Sequence, residues 1–518
     1  MMKTCPWICI VFHIILSFNL PTNGENILVF APLPIKSHFG GFQALFRELA
    51  FRGYNVTVIS FFPLDKPIKN YNEIVIPFNK SFETTIPPMI MTGRHFLTVI
   101  PLSWYFTVKR AYNVLSSTVL QEFIQNDDSK FDLVLVFTFG QSYCVTLGHK
   151  YNAPIINLNV LMLWQSNSKW IGEPSTYSYI PDARAGVTPK MSFTERIKNS
   201  IIGFLQLYPE DFIHLPKYKD IMDTFFKYPG WETRPSMEDM LKNVSLTLVN
   251  AHFSVGITRP YLPGTVEVGG LHIKEAKQLS GKFLEFIESA EHGVIYFSFG
   301  TIVNPVLLPK EKIQVFVNVF KKLKQKIMWK WKGEIPFNLS DNVMLREWYP
   351  QEDILGHTNI KLFITHGGLH SLEEASYNAK PLIGIPFFGD QHMNMRIVEE
   401  KGFGKMIDIQ TINEESLLSS IIEVLENPKF KENSIRQSSL YKDQEMKPID
   451  RAVYWVEYVI RHKGASHLKS KSVELNSIQY FLIDILVVFL ISVAIILVTI
   501  YIVFITLKYT FIFKTKND

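Results

Sequence analysis

Short apolar runs, separated by polar turns and amphipathic segments, recur along the first part of the chain. The runs Asn26–Ala31 and Val56–Phe61 are predicted strands, and the segment from about His38 to Phe51 between them is a predicted helix. A further buried strand is predicted over Phe131–Phe137. A strand, a helix and a strand within about 35 residues make a βαβ unit, which places its two strands parallel in one sheet.

A second series of buried strands follows a change of pattern between about residues 255 and 275. Its predicted strands are Val294–Phe299, Ile327–Trp331, Val343–Arg346, Lys361–Thr365 and Leu382–Ile385. The length of 518 residues also exceeds the size of a domain with a single hydrophobic core. We therefore predict an α/β fold with two doubly wound domains that face each other across a cleft. Residues 81–125 and 160–235 are rich in aromatic side chains and lack clean periodicity, which predicts irregular helices.

Both ends of the chain carry targeting patterns. Residues 1–24 contain Lys3 and an apolar core from Trp7 to Leu20, which predicts a secretory signal peptide. The apolar run Ile485–Leu507 is about 23 residues long, enough for one transmembrane helix. Basic residues flank that run on both sides, so the signal peptide decides the predicted single-pass type I orientation, with residues 508–518 as a cytosolic tail.

The lysines of that tail, Lys514 and Lys516, are similar to an endoplasmic reticulum retrieval signal. Ordinary stop-transfer charges are the alternative interpretation. We therefore expect the protein in the endoplasmic reticulum membrane, with the bulk of the chain in the lumen.

Charge and cysteine content narrow the function classes. The chain has 53 basic and 48 acidic residues and no basic cluster, which argues against nucleic-acid binding. Two of the three cysteines lie in the signal peptide, so Cys144 remains alone and no internal disulfide is predicted. Glycosylation sequons begin at Asn55, Asn79, Asn243 and Asn338. Asn55 falls in a predicted buried strand and is expected to be unused.

The run from Phe363 to Gln391 carries the most chemistry. A strand ends at Thr365, and His366-Gly367-Gly368 turns the chain into a helix. A helix start with free N–H groups and a positive dipole end is a natural seat for phosphate. The pair Asp390-Gln391 follows the next strand at its carboxyl end, where open α/β sheets bind ligands, and a carboxylate beside an amide suits sugar hydroxyls. The run therefore predicts a nucleotide-sugar site.

This run resembles the signature of the UDP-glycosyltransferases, the family that includes the animal UDP-glucuronosyltransferases. Residues 348–357 (WYPQEDILGH), 294–301 (VIYFSFGT) and the stretch 450–465 are similar to further segments of that family. The resemblance implies a GT-B-type pair of Rossmann-like domains plus one C-terminal transmembrane helix. It implies an acceptor-binding domain over residues 25–260, a UDP-sugar donor domain over 261–440, and a closing helix with a juxtamembrane linker over 441–475.

The resemblance also implies which residues bind the donor. Trp348 and Gln351 would hold uracil, Glu374 the ribose, and Asp390 with Gln391 the sugar. The diphosphate would lie against Ser298, Gly300, Thr301, His366, Gly368 and Arg259, and His370 completes the predicted donor set. For Arg259, pairing with a neighbouring acid is an equal alternative.

On the acceptor side, the resemblance makes His38 the catalytic base that removes the proton of the acceptor hydroxyl. An imidazole suits this role because its ordinary pKa is near neutral. In the family an acid at the end of a later strand supports this histidine, and alignment places Phe137 at that position. His38 then acts with a distant partner or with water, or the enzyme favours acceptors that need little deprotonation.

The resemblance predicts an inverting transfer of glucose or glucuronic acid from a UDP-sugar to a small lipophilic acceptor hydroxyl. The β-glycoside product would serve detoxification or clearance. The UDP-sugar is a co-substrate, and no separate cofactor is expected. The expected partners are this donor, a lipophilic acceptor and membrane lipid, with a homo-oligomer left open. The alternatives are a weak or inactive UDP-sugar-binding membrane protein, because of Phe137, and transfer to lipid or protein acceptors.

A metal site was the other interpretation of the signature helix. His366, His370 and Glu374 recur at four-residue spacing, which could present ligands on one helix face. The start of this helix is already the predicted phosphate site, and the sequence offers no other cluster of metal ligands nearby. We therefore predict no metal there.

Overall fold

A computed structural model describes residues 24–79, 96–334 and 337–517. The chain divides into two units, Met1–Leu468 and Lys469–Asp518. The predicted signal peptide lies almost entirely outside the described residues. The first unit contains two sheets, and all the strand pairs recorded in them are parallel.

The first sheet has seven strands in the order β3-β2-β1-β4-β5-β6-β7. Its central strands β1, β4, β5 and β6 are almost wholly buried, as expected when helices cover both faces. The strands are β1 Asn26–Phe30, β2 Asn55–Ser60, β3 Tyr71–Val75, β4 Leu133–Val136, β5 Ile155–Asn159, β6 Leu246–Val249 and β7 Thr265–Glu267. Because β7 belongs to this sheet, the sheet extends past the predicted domain boundary at residue 260.

The second sheet has six strands in the order β10-β9-β8-β11-β12-β13. The strands are β8 Val294–Ser298, β9 Lys326–Lys330, β10 Val343–Arg346, β11 Ile360–Thr365, β12 Leu382–Gly384 and β13 Gly404–Met406. Thr365 at the end of β11 pairs with Ser298 on one side and Gly384 on the other. Three strands therefore end at one level, and the loops that follow them share one edge of the sheet.

Helices surround both sheets. Those before β7 are α1 Lys36–Phe51, α2 Phe96–Leu115, α3 Thr118–Asn126, α4 Thr146–Tyr151, α5 Gln165–Ile171, α6 Phe193–Pro209, α7 Leu215–Phe225 and α8 Met237–Lys242. Those after β7 in the first unit are α9 Gly281–Glu288, α10 Lys310–Lys322, α11 Gln351–Gly356, α12 Leu369–Tyr377, α13 Gln391–Glu400, α14 Glu414–Glu426, α15 Pro428–Lys442 and α16 Pro448–Arg461. The aromatic-rich segments are thus more regular than predicted, since α2 alone has 20 residues.

Helix α16 returns to the first sheet. Its buried face, which includes Ala452, Val453 and Val456, shares a hydrophobic cluster with β1 and α1. The hydrophobic spacing along this helix follows one face of a 3.6-residue period, which lets it cover the sheet.

The second unit contains the short helix α17 Ser477–Tyr480 and the long helix α18 Ile483–Asn517. The stretch Ile483–Ile512 is long and apolar enough to cross a membrane, and none of its most apolar window is buried inside the protein. The predicted span Ile485–Leu507 lies within this helix. A helix of this kind exposes its apolar side chains because lipid, not protein, is its solvent.

The structure corrects the expected burial of Asn55. Asn55 is the first residue of β2 and is exposed, while burial begins at Val56. Its side chain donates to the backbone oxygen of Gly24 and to Oδ1 of Asn26. The asparagines of the other three sequons, Asn79, Asn243 and Asn338, are also exposed.

Candidate active site

A cavity of about 980 Å³ lies between the two sheets and is lined from both sides. The first domain contributes the start of α1, including Lys36 and His38, and the chain after β4. The second domain contributes the loops that follow β8, β10, β11 and β12. These loops leave the carboxyl ends of parallel strands, the usual place for ligands in doubly wound folds.

The start of α12 is built from glycines packed around His366. Gly368 is the N-cap residue, and a Cβ atom on it would lie 2.4 Å from Nε2 of His366. A Cβ atom on Gly300 would lie 2.6 Å from Cε1 of the same ring, and Gly300 also has a φ of +75°. Only glycine therefore leaves room for the imidazole at both positions.

His366 offers a hydrogen bond rather than a charge at this helix start. Burial, with a smaller contribution from the nearby ammonium of Lys330, lowers the pKa of His366 to about 4. The ring is therefore neutral near pH 7. The positive electrostatics needed by an anion come instead from the free N–H groups at the start of α12 and from the lysines described next.

Two lysines from different domains lie over the ring of Trp348. Its ring is 57% exposed, with Nζ of Lys36 4.6 Å and Nζ of Lys330 4.5 Å from the ring centroid. Lys330 also donates to the backbone oxygen of Gly300, and burial followed by the charge of Lys36 lowers its pKa to about 8. The site thus offers an accessible indole beside two ammonium groups, which suits an aromatic base attached to an anionic group.

Gln351 and Glu374 form a hydrogen-bonded pair next to Trp348. Nε2 of Gln351 donates to Glu374 Oε2 and to Oγ of Ser371, and its Oε1 accepts from the Tyr296 hydroxyl. Burial is the main cause that raises the pKa of Glu374 to about 8. A protonated carboxyl and an amide can both donate and accept, as binding of base edges and ribose hydroxyls requires.

Asp390 and Gln391 stand at the start of α13, where they also line the cavity. Oε1 of Gln391 accepts from the backbone N–H groups of Phe387 and Phe388, so its NH₂ group is the part left to bind a ligand. Oδ2 of Asp390 accepts from Nδ2 of Asn394, and burial raises the pKa of Asp390 to about 6.

His38 lies in the first turn of α1. Its Nδ1 is 3.3 Å from Oγ of Ser37, and its ring meets the ring of Phe139 edge to face at 5.7 Å. Burial first, then the fields of His370 and Arg110, lower the pKa of His38 to about 3. Among the described residues, no carboxylate hydrogen-bonds to this imidazole or forms an ion pair with it. It is therefore a neutral acceptor without an acid to stabilise its protonated form.

Phe137 does not face His38. It is 2% exposed and packs against Phe42 and Phe46 of α1, with ring centroids 5.8 and 6.5 Å away. The sequence alignment identified the position, but the aromatic neighbour of the imidazole is Phe139, two residues further on. Phe137 belongs to the core beneath α1.

Most of the predicted site residues come together in the cavity. Those that line it are His38, Gly300, Thr301, Trp348, Gln351, His366, Gly368, His370, Glu374, Asp390 and Gln391. Ser298 does not line it; this side chain is fully buried and accepts a hydrogen bond from the Gly300 N–H, so it supports the turn from behind.

Arg259 also lies outside the cavity lining. Its guanidinium donates to the backbone oxygens of Leu163 and Pro174 and to Oγ of Ser168. This corrects the prediction that places Arg259 at the diphosphate. The arginine instead ties together loops of the first domain.

Several lining residues were not predicted. Lys36, Lys330, Arg110, Phe139 and His272 all face the cavity. Arg110 lies close enough to influence His38, and burial lowers its pKa without an acidic residue of the described ranges to offset its charge. No local sequence signal marks these residues, because each gains its position from the packing of distant segments.

The residues weighed and rejected as a metal set from the sequence, His366, His370 and Glu374, are not the ones that the structure brings together. One potential ligand atom from each of His272, His370 and Glu373 lies within 4.8 Å of the others. Glu374 is directed to Gln351, and His366 is enclosed by glycines.

Comparison with known proteins gives a consistent result. The family model "UDP-glucoronosyl and UDP-glucosyl transferase" matches residues 93–518. The chain is 39% identical to UDP-glycosyltransferase UGT4 of Dactylopius coccus, over 93% of this chain and 94% of that protein. It is 32% identical to UDP-glucuronosyltransferase 2A3 of Cavia porcellus, over 88% of this chain and 89% of that protein.

Solved structures share the fold. The glycotransferase of kitacinnamycin aligns with a TM-score of 0.56 at 16% identity, covering 84% of this chain and 99% of its own. The calicheamicin glycosyltransferase CalG4 aligns with a TM-score of 0.54 at 16% identity, covering 85% and 99%. The two parallel sheets have the GT-B arrangement, as predicted. The chain is a glycosyltransferase that uses a UDP-sugar, and it belongs to the UDP-glucuronosyl and UDP-glucosyl transferase family.

Proposed function

We propose that this protein transfers glucose or glucuronic acid, with inversion, from a UDP-sugar to the hydroxyl of a small lipophilic acceptor. The observation that carries the proposal is that His38 and the N-terminus of α12 line the same cavity. A proton acceptor and a seat for a departing diphosphate are the two groups that such a displacement needs. The product is a β-glycoside, a more soluble form of a hydrophobic compound.

In the proposed reaction the acceptor oxygen attacks the anomeric carbon on the face opposite UDP. The bond from that carbon to the diphosphate oxygen breaks, and UDP leaves with the electron pair. The acceptor proton passes to Nε2 of His38, since Nδ1 faces Ser37. The N–H groups at the start of α12, the neutral ring of His366 and the Gly300–Thr301 turn stabilise the charge that develops on the diphosphate.

The remaining donor contacts follow from position. The indole of Trp348 stacks on uracil, with Gln351 at the base edge and Glu374 at the ribose. Asp390 and the free NH₂ group of Gln391 bind hydroxyls of the sugar. Lys36 and Lys330, which flank the indole, add positive charge where the diphosphate begins.

The acceptor end of the cavity favours an aromatic compound with an acidic hydroxyl. Trp104, Phe139 and Trp164 supply ring surface, and Arg110 supplies a positive charge near His38. A neutral imidazole without a supporting acid is a weak base. An acceptor hydroxyl that ionises readily, and whose anion a nearby guanidinium stabilises, can react even when the imidazole is a weak base. We therefore propose phenols as the acceptor class.

A donor and acceptor screen tests the proposal. The full chain, purified in detergent, is incubated with UDP-glucose or UDP-glucuronic acid and a set of phenols matched in size but graded in acidity. Products are identified by mass, and the anomeric configuration by NMR. We expect a β-glycoside with one of the donors, a rate that increases with phenol acidity, and loss of most activity in His38→Gln.

Other outcomes contradict the proposal in distinct ways. UDP-sugar binding without any glycoside indicates the inactive binding protein that Phe137 suggested. Sugar recovered in the lipid or protein fraction indicates membrane acceptors. An α-glycoside excludes inversion.

We also propose that α18 anchors the protein in the endoplasmic reticulum membrane with the catalytic unit in the lumen. The exposed sequon asparagines support this orientation, because glycans are added only on the lumenal side. The test is a shift in gel mobility after enzymatic deglycosylation of protein from cells, with sequon Asn→Gln variants as controls. Absence of any glycan on all sequons contradicts the orientation.

A further inference from the structure

A cluster of polar side chains beside the donor site has no role in the proposed transfer. His272 follows β7 on the segment that connects the two sheets, whereas His370 and Glu373 lie one turn apart on α12. The imidazole rings of His272 and His370 stack with centroids 4.3 Å apart. One potential ligand atom from each of the three residues lies within 4.8 Å of the others.

The polar atoms of this cluster are buried and lack partners. Both ring nitrogens of His272 and both carboxyl oxygens of Glu373 are buried without a well-formed hydrogen bond to any residue in the described part of the chain. Nδ1 of His272 and Oε2 of Glu373 are 3.8 Å apart, too far for a hydrogen bond. The Asn250 side chain and the Gly270 backbone approach the carboxyl, and the His370 backbone approaches the His272 ring, but all three contacts fall outside the geometry of a well-aligned hydrogen bond.

Four orphaned polar atoms in one place call for an explanation, since each carries the cost of its lost hydration. The connecting segment passes close by. A Cβ atom on Gly269 would lie 2.6 Å from the backbone of Ala251 and 2.9 Å from Oε1 of Glu373, so the backbone of Ala251 alone already requires a glycine there.

We propose that His272, His370 and Glu373 bind a divalent transition-metal ion of the zinc type, with a fourth coordination position open to the cavity. Two imidazoles and one carboxylate form a donor set that zinc accepts in proteins with a free fourth position. His272 and His370 both line the cavity, so water or a ligand oxygen there can complete the coordination.

The geometry requires a small adjustment. Ligand atoms about 2.1 Å from a tetrahedral zinc ion lie about 3.4 Å from one another, so atoms that are now up to 4.8 Å apart must approach by up to about 1.4 Å. His370 is partly buried, and its ring, which now stacks on the ring of His272, must also turn so that both imidazoles direct a nitrogen at one ion.

Metal binding can be measured directly. The full chain, purified without a histidine tag and stripped with a chelator, is dialysed against Zn²⁺, and bound zinc is counted by elemental analysis. Co²⁺ is then substituted, because its visible absorption reports four-coordinate geometry. We expect one equivalent of zinc, a tetrahedral cobalt spectrum, and at least a roughly tenfold loss of affinity in Glu373→Gln and His272→Gln.

Two control variants separate this site from surface histidines. His292→Gln removes an exposed imidazole, and His467→Gln disrupts the pair of His462 and His467, whose rings lie 5.7 Å apart. Both should keep the zinc equivalent. UDP binding by Glu373→Gln checks that the variant is folded.

The proposal is overturned if the folded protein takes up no zinc, or if uptake is lost in His467→Gln but kept in Glu373→Gln. The measurement involves no sugar transfer. Failure of the metal site and failure of the proposed transferase reaction are therefore distinguishable.

Discussion

The ring of His38 meets the ring of Phe139 edge to face, with centroids 5.7 Å apart, where a supporting carboxylate is expected for a catalytic histidine. An aromatic edge cannot stabilise an imidazolium as an acid does. Burial in these surroundings lowers the pKa of His38 to about 3, so the base is neutral but weak. The first two predictions follow from this contact.

Phe139→Glu should strengthen the base. A glutamate is long enough to bring its carboxylate to where the ring edge now lies, and an adjacent negative charge raises the pKa of His38. We expect kcat to increase at least about tenfold, a small part of the roughly 10⁴-fold that loss of such an acid can cost. The acid limb of the kcat–pH profile should move to higher pH, because kcat falls once His38 is protonated and the variant protonates His38 at a higher pH.

Phe139→Gln is the matched control, because glutamine has nearly the same shape as glutamate but carries no charge. Its kcat and its pH profile should remain like those of the unchanged protein. An equal gain in both variants would mean that space at the acceptor, rather than charge at His38, limits the rate.

Phe137→Asp should fail to activate the enzyme and should destabilise it. Phe137 packs against Phe42 and Phe46, so the change removes a buried ring and buries a carboxylate. Loss of a core phenylalanine costs about 3–5 kcal/mol before the cost of the charge is added. Chemical denaturation measures the loss, and Phe137→Leu should cost no more than about 1.5 kcal/mol. A stable and faster Phe137→Asp enzyme would contradict this packing.

Trp348→Ala should weaken UDP binding by about 1–3 kcal/mol, the usual value of one base stacked on an aromatic ring. Because the ring is 57% exposed, the free energy of unfolding should change little. Isothermal titration with UDP gives the affinity, and Trp348→Phe should keep most of it. Unchanged affinity in the alanine variant would remove the indole from the donor site.

Lys380 should make the protein more stable as pH rises above neutrality. Its ammonium is buried and donates to the backbone oxygens of His357 and Ile360. Burial, followed by the charges of Lys431 and Lys361, lowers its pKa from 10.5 to about 7. Between these two values the unfolded chain holds a proton that the folded chain has released, so the contribution of Lys380 to the free energy of unfolding increases with pH.

The check is the difference in free energy of unfolding between the unchanged protein and Lys380→Met, measured from pH 6 to pH 10. From about pH 7 upward, the free energy of unfolding of the unchanged protein should increase relative to that of Lys380→Met. The exposed residue Lys310 provides the control, since Lys310→Met makes the same change where the side chain is not buried. A constant difference for Lys380→Met would show that its ammonium keeps an ordinary pKa.

Local pattern was enough to define much of the architecture. The apolar runs that became β1, β8 and β11 were predicted within one or two residues, since a buried parallel strand is a continuous apolar segment. The strands β3, β5, β6, β7 and β13 were not predicted. β3 is a polar edge strand, and β13 has only three residues, one of them glycine, so neither carries a periodic signal.

The sequence by itself determined the donor signature, the family and the apolar C-terminal helix, because each depends on residues close together in the chain. Only the tertiary structure decided which side chains meet across the cleft. It placed Lys36 and Lys330 about the ring of Trp348, brought His272 to Glu373, and turned Phe137 into the core. These contacts join residues from separate segments and, for Trp348, from both domains. Their distances depend on how helices and sheets pack, and no periodicity along the chain records that.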